Sequence, residues 1–600
     1  MQRTLVRFAV AGLAAVGLIL ASIPAPAAAV GLIGSVQGHV TDAATGAPIA
    51  NACVWFGPVH LVRSDPLTNC VFTDGAGFYS HSWINGPASI PLTFEKDPTY
   101  QQKTISTVVN SDTPVIVDAA LDLVPGAPPP GQAGCQTATT GTPTQTLYLP
   151  NVTKTLGGPQ GFQTPFIVQN TGTSSTNLEV TFYKFSDASC VARRSVPNLA
   201  PGASFADVPN NDTDLPDNTQ FSVTVRSFGN TVVSVVNQHK GSIEADAYSA
   251  AATGATTVYL PNVVRRFFGF HSPAIIQNLG SVPTVVTARY QSFDGSAPST
   301  QFTRSIAPGQ SQFIEPNSDD PTLGAPGLVD GKQYSVTITS AQPVSVVLNT
   351  HNDDPGVAQP VFYSANGIST GAATVYGAYA VKNANGGRIS TIVVQNLSTG
   401  PLTPSLSFTP LTSGGAAQTF TAPAPIAAGS AWAFDPRFIG GVASSDSTKL
   451  CTAAAANCLG NGEYSFTAQG NGGNVAAMVN VIGADSAMGY TASPTPAATY
   501  NLPNVLASYG GWTTPVYLQS VSATSATLTW KPFLGGAATT QTVTLTPGVA
   551  VKIDPNVSVA QGAQYAVTVA ASGGTVTAIV MELNASGGDN AMIYGGFPAP

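Results

Sequence analysis

The chain has 600 residues, only 9% of them charged, with 22 Lys and Arg against 30 Asp and Glu and a net charge of −8. A balance so sparse and slightly acidic makes no basic stripe for a nucleic-acid backbone. At 43% hydrophobic residues the chain can build cores, which excludes wholesale disorder, and its wealth of Thr, Ser, Gly, Ala and Val favours strands and turns.

Residues 1–29 have the layout of a secretory signal peptide. Arg3 and Arg7 make the positive end, Phe8 to Ile23 the apolar run, and Pro24 and Pro26 break it before the small-residue site Ala27-Ala28-Ala29. That run is shorter than the roughly 20 residues a membrane span prefers. No later segment has the length and apolarity of a span. The expected location is extracellular, secreted or held non-covalently at the cell surface, with no transmembrane anchor.

Residues 30–124 make the first domain. Val36-Gln37-Gly38-His39-Val40-Thr41-Asp42 alternates and then turns, Thr45-Gly46-Ala47-Pro48-Ile49 is a tight connection, and Ala52-Cys53-Val54-Trp55-Phe56 is the next strand. In Thr73-Asp74-Gly75-Ala76-Gly77-Phe78-Tyr79, Asp and Gly supply the side-chain acceptor and the positive φ that a turn into a strand needs. This order resembles the carboxypeptidase regulatory-like domain, a transthyretin-like β-sandwich with a carbohydrate-binding-like fold. The resemblance implies a non-catalytic accessory or adhesive module and no peptidase activity.

Residues 125–145, opening with Pro125-Gly126-Ala127-Pro128-Pro129-Pro130-Gly131, read as a stiff, extended linker. Beyond it one phrase returns. Tyr148-Leu149-Pro150-Asn151-Val152 recurs as Tyr259-Leu260-Pro261-Asn262-Val263, in degraded form at Tyr376-Gly377-Ala378-Tyr379, and as Tyr500-Asn501-Leu502-Pro503-Asn504-Val505. The tyrosines are 111, 117 and 124 residues apart, each the length of a small domain. The repeats are placed at 146–253, 254–370, 371–494 and 495–600. Each continues with a strand ending in Gln169-Asn170, Gln277-Asn278, Gln395-Asn396 or Gln519-Ser520. A turn follows at Pro201-Gly202, Pro308-Gly309, Ala428-Gly429 and Pro547-Gly548.

Strict alternation comes next. Phe221, Val223 and Val225 point one way and Ser222, Thr224 and Arg226 the other, and Tyr334/Val336/Ile338 and Tyr565/Val567/Val569 repeat the pattern, more weakly Tyr464/Phe466/Ala468. A period of two with one polar face predicts a half-buried strand. The following runs, Val232 to Val236, Val344 to Leu348, Val475 to Val481 and Val576 to Met581, are apolar on both faces and predict a central strand. The fold class is all-β: multidomain β-sandwiches, one transthyretin-like domain plus four immunoglobulin-like repeats. The repeat set resembles tandem Ig-like modules of exported bacterial proteins, a resemblance with little functional content. Modules of this size can fold alone. The short joints 250–256 and 493–498 predict independent beads in a semi-rigid rod.

Six cysteines in an exported chain suggest disulfides, and six allow 15 pairings. Modular folding favours the local pairs Cys53–Cys70 and Cys451–Cys458, which leaves Cys135 with Cys190. Catalytic signatures are scarce. His39, His60, His81, His239, His271 and His351 form no H-E-x-x-H motif, and there is no P-loop or dinucleotide fingerprint. His39, His60 and His81 share the first domain, where unrelated packing roles are the commoner use of such a trio.

Two binding questions remain. Asp212 and Asp214, and Asp319 and Asp320, sit in Asn- and Asp-rich loops, with a further cluster at Asn352-Asp353-Asp354. Such oxygens suit calcium. Turn chemistry explains them as well, and the third and fourth repeats lack the cluster, so turns are favoured and no cofactor or metal is assigned. Phe162, Phe270 and Trp512 each follow a Gly at a strand entrance, with Arg388 in the third copy. They are candidate platforms for a sugar ring or plugs for the end of a sandwich. The expected function is a secreted, non-enzymatic surface or matrix protein of scaffold or adhesion type. Its partners would be cell-envelope or extracellular polymers and proteins, and not nucleic acid. The alternative is a carbohydrate-binding protein accessory to polysaccharide recognition or degradation.

Overall fold

The structure, a computed structural model, describes residues 32–122 and 135–599 except for short stretches within them, the longest being 57–69. The expected signal segment and most of the linker lie outside the described residues. The fold is all-β and built of sandwiches, with one four-residue α-helix, Pro555–Ser558, among the described residues. The chain divides into two compact units, Met1–Pro130 and Gly131–Pro600.

In the first unit, Leu32–Asp42 pairs with Phe78–Gly86 on one side and, in parallel, with Val115–Ile116 and Ala119–Leu121. The second sheet runs Cys70–Phe72, Cys53–Phe56, Ala88–Glu95, Lys103–Val109. Val36, Val40, Val54, Tyr79, Leu92 and Phe94 fill the space between. The expected turn at Asp74 is present. Its carboxylate accepts from Ala76 N and Phe78 N, both at 2.9 Å, and Gly77 takes φ 75°. A side chain at Gly77 would also meet the Val40 carbonyl.

The second unit uses one strand order four times. In its first sandwich, one sheet runs Cys190–Leu199, Thr176–Lys184, Thr219–Ser227, Gln145–Lys154, and the other Ser204–Asp207, Phe166–Asn170, Val232–Lys240, Glu244–Ser249. In the second sandwich a single strand, Lys332–Asn352, passes through both sheets. The doubly apolar runs lie inside their sheets with a neighbour on each side, as their pattern predicts.

The recurring phrase is a β-bulge. Val152 and Leu149 face Phe221 and Val223, so the first strand carries one extra residue, and the same slip falls at Leu260/Val263, Gly377/Ala380 and Leu502/Val505. Proline has no N–H to lose from a ladder and is tolerated at such a point. The neighbouring Asn ties the bulge down: Asn151 Oδ1 accepts from Gln220 Nε2 at 2.6 Å, and its Nδ2 donates to Gln238 Oε1 at 2.8 Å. The Asn of each Gln-Asn pair closes a loop. Asn170, Asn278 and Asn396 each donate to two loop carbonyls and accept the amide two residues on.

The expected rod of independent beads is not what forms. The last strands of the four sandwiches, Glu244–Ser249, Val361–Asn366, Ala487–Thr491 and Ala591–Gly595, pack on one another in the order first, second, third, fourth and back to first. Each is an edge strand with a ladder on one side only. Its remaining N–H groups need acceptors once water is excluded. Two carboxylates provide them. Asp246 Oδ2 accepts from Ser364 N at 2.5 Å and Gly489 N at 2.9 Å, and its Oδ1 accepts from Ile593 N at 2.9 Å. Asp589 accepts from Phe362 N at 2.7 Å and Ala487 N at 3.0 Å. Burial pushes both carboxyls up, Asp589 to about 8, against the opposing pull of the amide donors.

The cores are shared in the same cyclic order. Val347 of the second sandwich joins the first core, and Met478 and Ala487 of the third join the second. Ile579, Met581 and Ile593 of the fourth join the third, and Val235, Ala245 and Ala247 of the first join the fourth. A bead that completes its core with its neighbour's side chains is not autonomous, which is why the rod expectation fails.

The same closure corrects the half-buried strands. Ser222, Ser335 and Ser465 stand on the polar face yet are buried. Their hydroxyls donate to Gly309 O at 2.9 Å, Gly429 O at 2.8 Å and Gly548 O at 3.1 Å, the turn of the next sandwich in each case. The fourth strand has Ala566 in this place and no hydroxyl to donate.

Candidate functional site

A cluster of ionisable groups lies on the seam between the first and second sandwiches. His271 and His351 exchange backbone hydrogen bonds, 2.9 Å in each direction, and their ring centroids are 5.4 Å apart. Residues directly opposed across antiparallel strands put both side chains on one face. Asp353 lies two residues past His351, just beyond the end of the strand Lys332–Asn352. Its Oδ1 is 3.6 Å from His271 Nε2.

The first sandwich supplies Glu244. Its Oε2 is 3.2 Å from His351 Nδ1, and its Oε1 accepts from Lys240 Nζ at 2.7 Å. One donor atom from each of Glu244, His351 and Asp353 lies within 4.8 Å of the others. Burial alone would raise the Glu244 carboxyl, but hydrogen bonds and charge from His351 and Lys240 hold it below its ordinary range. Phe162 walls the seam, 5.7 Å from the His351 ring and 5.4 Å from Phe362, with Lys240 Nζ 5.4 Å above its face. Asn317 Nδ2 meets His271 Nδ1 at 2.6 Å. Two imidazoles and two carboxylates can hold a divalent ion or pass a proton between bases. Where the four last strands end, a separate cavity of about 320 Å³ opens on residues of all four sandwiches, among them Ser249, Asn366, Tyr376, Tyr490 and Tyr594.

The expected platforms have protein partners. Phe162 packs on the second sandwich as described, Phe270 lies 6.1 Å from Tyr363 against the second core, and Trp512 of the fourth sandwich lies 5.7 Å from His239 of the first. All three are half-buried. Of the acids weighed for calcium, Asp212, Asp319 and Asp320 are engaged by cations and turns. Asp212 takes the Arg194 guanidinium and the Asp214 amide, Asp319 takes Arg265 at 3.0 Å, and Asp320 accepts from Thr322 N and Oγ1 at 2.8 and 2.7 Å.

The structure joins Cys53 to Cys70, Cys135 to Cys190 and Cys451 to Cys458, and no described cysteine is free. His39 packs on Phe78 and His81 on Phe56, while His60 lies outside the described residues.

Sequence reasoning passed over Glu244, Asp246, Glu582 and Asp589. The available signal was Glu244-Ala245-Asp246-Ala247, two acids inside a strand of a chain that is only 9% charged. It also passed over Gly367-Ile368-Ser369-Thr370-Gly371, which has the spacing of a nucleophile elbow. That segment follows the edge strand Val361–Asn366 and leads to the strand Thr374–Ala384, so it lacks the strand–turn–helix setting of such an elbow.

No protein-family description matches this chain, and no curated protein matches it significantly. Among solved structures, protein 1070 of Thermotoga maritima aligns at 18% identity over 20% of this chain and 96% of its own, with a TM-score of 0.16. A DUF3823 family protein from Parabacteroides merdae aligns at 10% identity over 37% and 97%, with a TM-score of 0.13. BcpA, the major pilin subunit of Bacillus cereus, aligns at 9% identity over 88% and 98%, with a TM-score of 0.12. At these scores none of the three carries an argument about what this chain does.

Proposed function

We propose that this is an exported, non-enzymatic scaffold of a cell surface or extracellular matrix. In this reading the first unit is a carboxypeptidase regulatory-like accessory module, and the four Ig-like repeats form one rigid body that displays loops to envelope or extracellular polymers and proteins. The observation that carries it is the use of Asp246: a fully buried carboxylate accepts amides from three other sandwiches, so ionisable chemistry serves rigidity. Three disulfides agree with assembly in an oxidising compartment. Among the described residues no helix is long and apolar enough to cross a membrane. A rigid body displaying many loops gains binding strength by multiplicity.

The test is fractionation of the producing cells followed by cross-linking on intact cells. Recovery of the oxidised protein outside the cytoplasm, cross-linked to envelope components, supports the reading. Retention in the cytoplasm with reduced cysteines, or no cross-linked partner, refutes it.

A further inference from the structure

We propose that the seam between the first and second sandwiches is a zinc site, formed by His271, His351, Asp353 and Glu244. The proposal does not depend on the scaffold reading.

The first argument is geometric. Donors bound at about 2.0–2.1 Å to a tetrahedral centre lie roughly 3.3 Å from one another. His351 Nδ1 and Glu244 Oε2 are 3.2 Å apart, and His271 Nε2 and Asp353 Oδ1 are 3.6 Å apart. His351, Glu244 and Asp353 offer donor atoms within 4.8 Å of each other, and His271 Nε2 joins this set through Asp353. The backbone already holds this arrangement. The two histidines are locked opposite each other by their mutual hydrogen bonds, and Asp353 follows directly after the strand that carries His351.

The second argument is the supporting shell. A metal-bound imidazole normally has its other nitrogen fixed by a hydrogen bond, and a bound carboxylate is itself hydrogen-bonded. Lys240 holds the Glu244 oxygen that does not face His351. Asn317 sits on His271 Nδ1, leaving Nε2 turned toward Asp353. The Asn317 Oδ1 is buried without a partner. Amide orientation is a choice between two nearly equivalent positions. Turned over, Asn317 would satisfy that oxygen with the His271 Nδ1 proton, the tautomer in which Nε2 is the acceptor.

The third argument is the donor type. Two imidazoles with two carboxylates suit a borderline ion of tetrahedral preference, whereas calcium takes six to eight oxygens. Because Glu244 comes from the first sandwich and the other three from the second, a bound ion would clamp the two together. His239 takes the place of His351 in the first sandwich, at the seam with the fourth, but there it meets the ring of Trp512 and, among the described residues, makes no such set.

The test uses the untagged full-length chain, stripped with a chelator and dialysed against zinc. One zinc per chain is expected, with a higher unfolding temperature in the loaded protein. Asp353→Ala and His351→Ala should lose the ion, Asn317→Ala should weaken it by roughly 10- to 100-fold, and His81→Ala should leave it unchanged. Asp353 is exposed, so its variant separates loss of a ligand from loss of fold, with circular dichroism as the check. Failure of the wild-type chain to take up zinc overturns the proposal. So does retention of zinc by folded Asp353→Ala and His351→Ala with wild-type affinity.

Discussion

Asp246 and Gly489 are 243 residues apart in the chain, yet the Asp246 carboxylate accepts the Gly489 amide at 2.9 Å in a fully buried site. The same carboxylate takes amides from Ser364 and Ile593, so one side chain of the first sandwich satisfies an edge strand of each of the others. An unpaired buried amide costs about 1–3 kcal/mol. Asp246→Ala strands three, and the expected loss is at least about 3 kcal/mol. Urea unfolding of the full chain should show residues 131–600 of the wild type melting in one transition. Separate transitions for each sandwich would contradict the shared core.

The buried carboxyls set a pH dependence. Glu582, which accepts from Asn504 and Asn237, is pushed up to about 8 by burial, and Asp589 likewise to about 8. A raised folded value means the unfolded chain gives up these protons first. Stability is therefore full below about pH 4 and declines as pH rises toward 8, by roughly 1.4 kcal/mol per unit for each group. In Glu582→Gln, thermal melts across this range should show a shallower decline; an unchanged slope would count against the assignment.

His239 acts in the opposite sense. Burial under the Trp512 ring lowers it to about 4. A depressed folded value gives stability that is present above about pH 6.5 and is lost as pH falls toward 4. His239→Gln should remove this acid-side loss in melts between those values. Trp512→Ala should cost about 2 kcal/mol, less than a fully buried tryptophan because the ring is half-buried. If Trp512→Ala melts like the wild type, the seam contact is unimportant.

The serine joints can be tested one at a time. Ser222→Ala, Ser335→Ala and Ser465→Ala should each cost about 1 kcal/mol, the net worth of a neutral hydrogen bond. The three joints are separate, so the triple variant should lose about the sum. Three silent substitutions in denaturant unfolding would show that the turns are held by packing alone.

Much of the fold was legible. Double apolarity in Val232–Val236 and the Asp74 turn follow from local chemistry and take their expected places, while the alternation in Phe221–Val225 marked a strand whose polar face proves to be buried. The cysteine pairs were legible because two of them close short loops within one module. The candidate site was not. His271, His351 and Asp353 looked like a scattered histidine pair and a turn acid, because their meeting depends on cross-strand register. Glu244 reaches them from another sandwich. Phe162 and Trp512 likewise have the pattern of strand-entrance aromatics, and nothing local distinguishes a free ring from one pressed against a neighbour.

Sequence alone determined the strands, their turns and the fourfold recurrence, since these rest on side-chain period and the backbone freedom of glycine. Only the tertiary structure decided that the sandwiches close on one another. That outcome rests on edge amides that lose their water and find Asp246 and Asp589 as acceptors, a relation between residues hundreds of positions apart that no local pattern encodes.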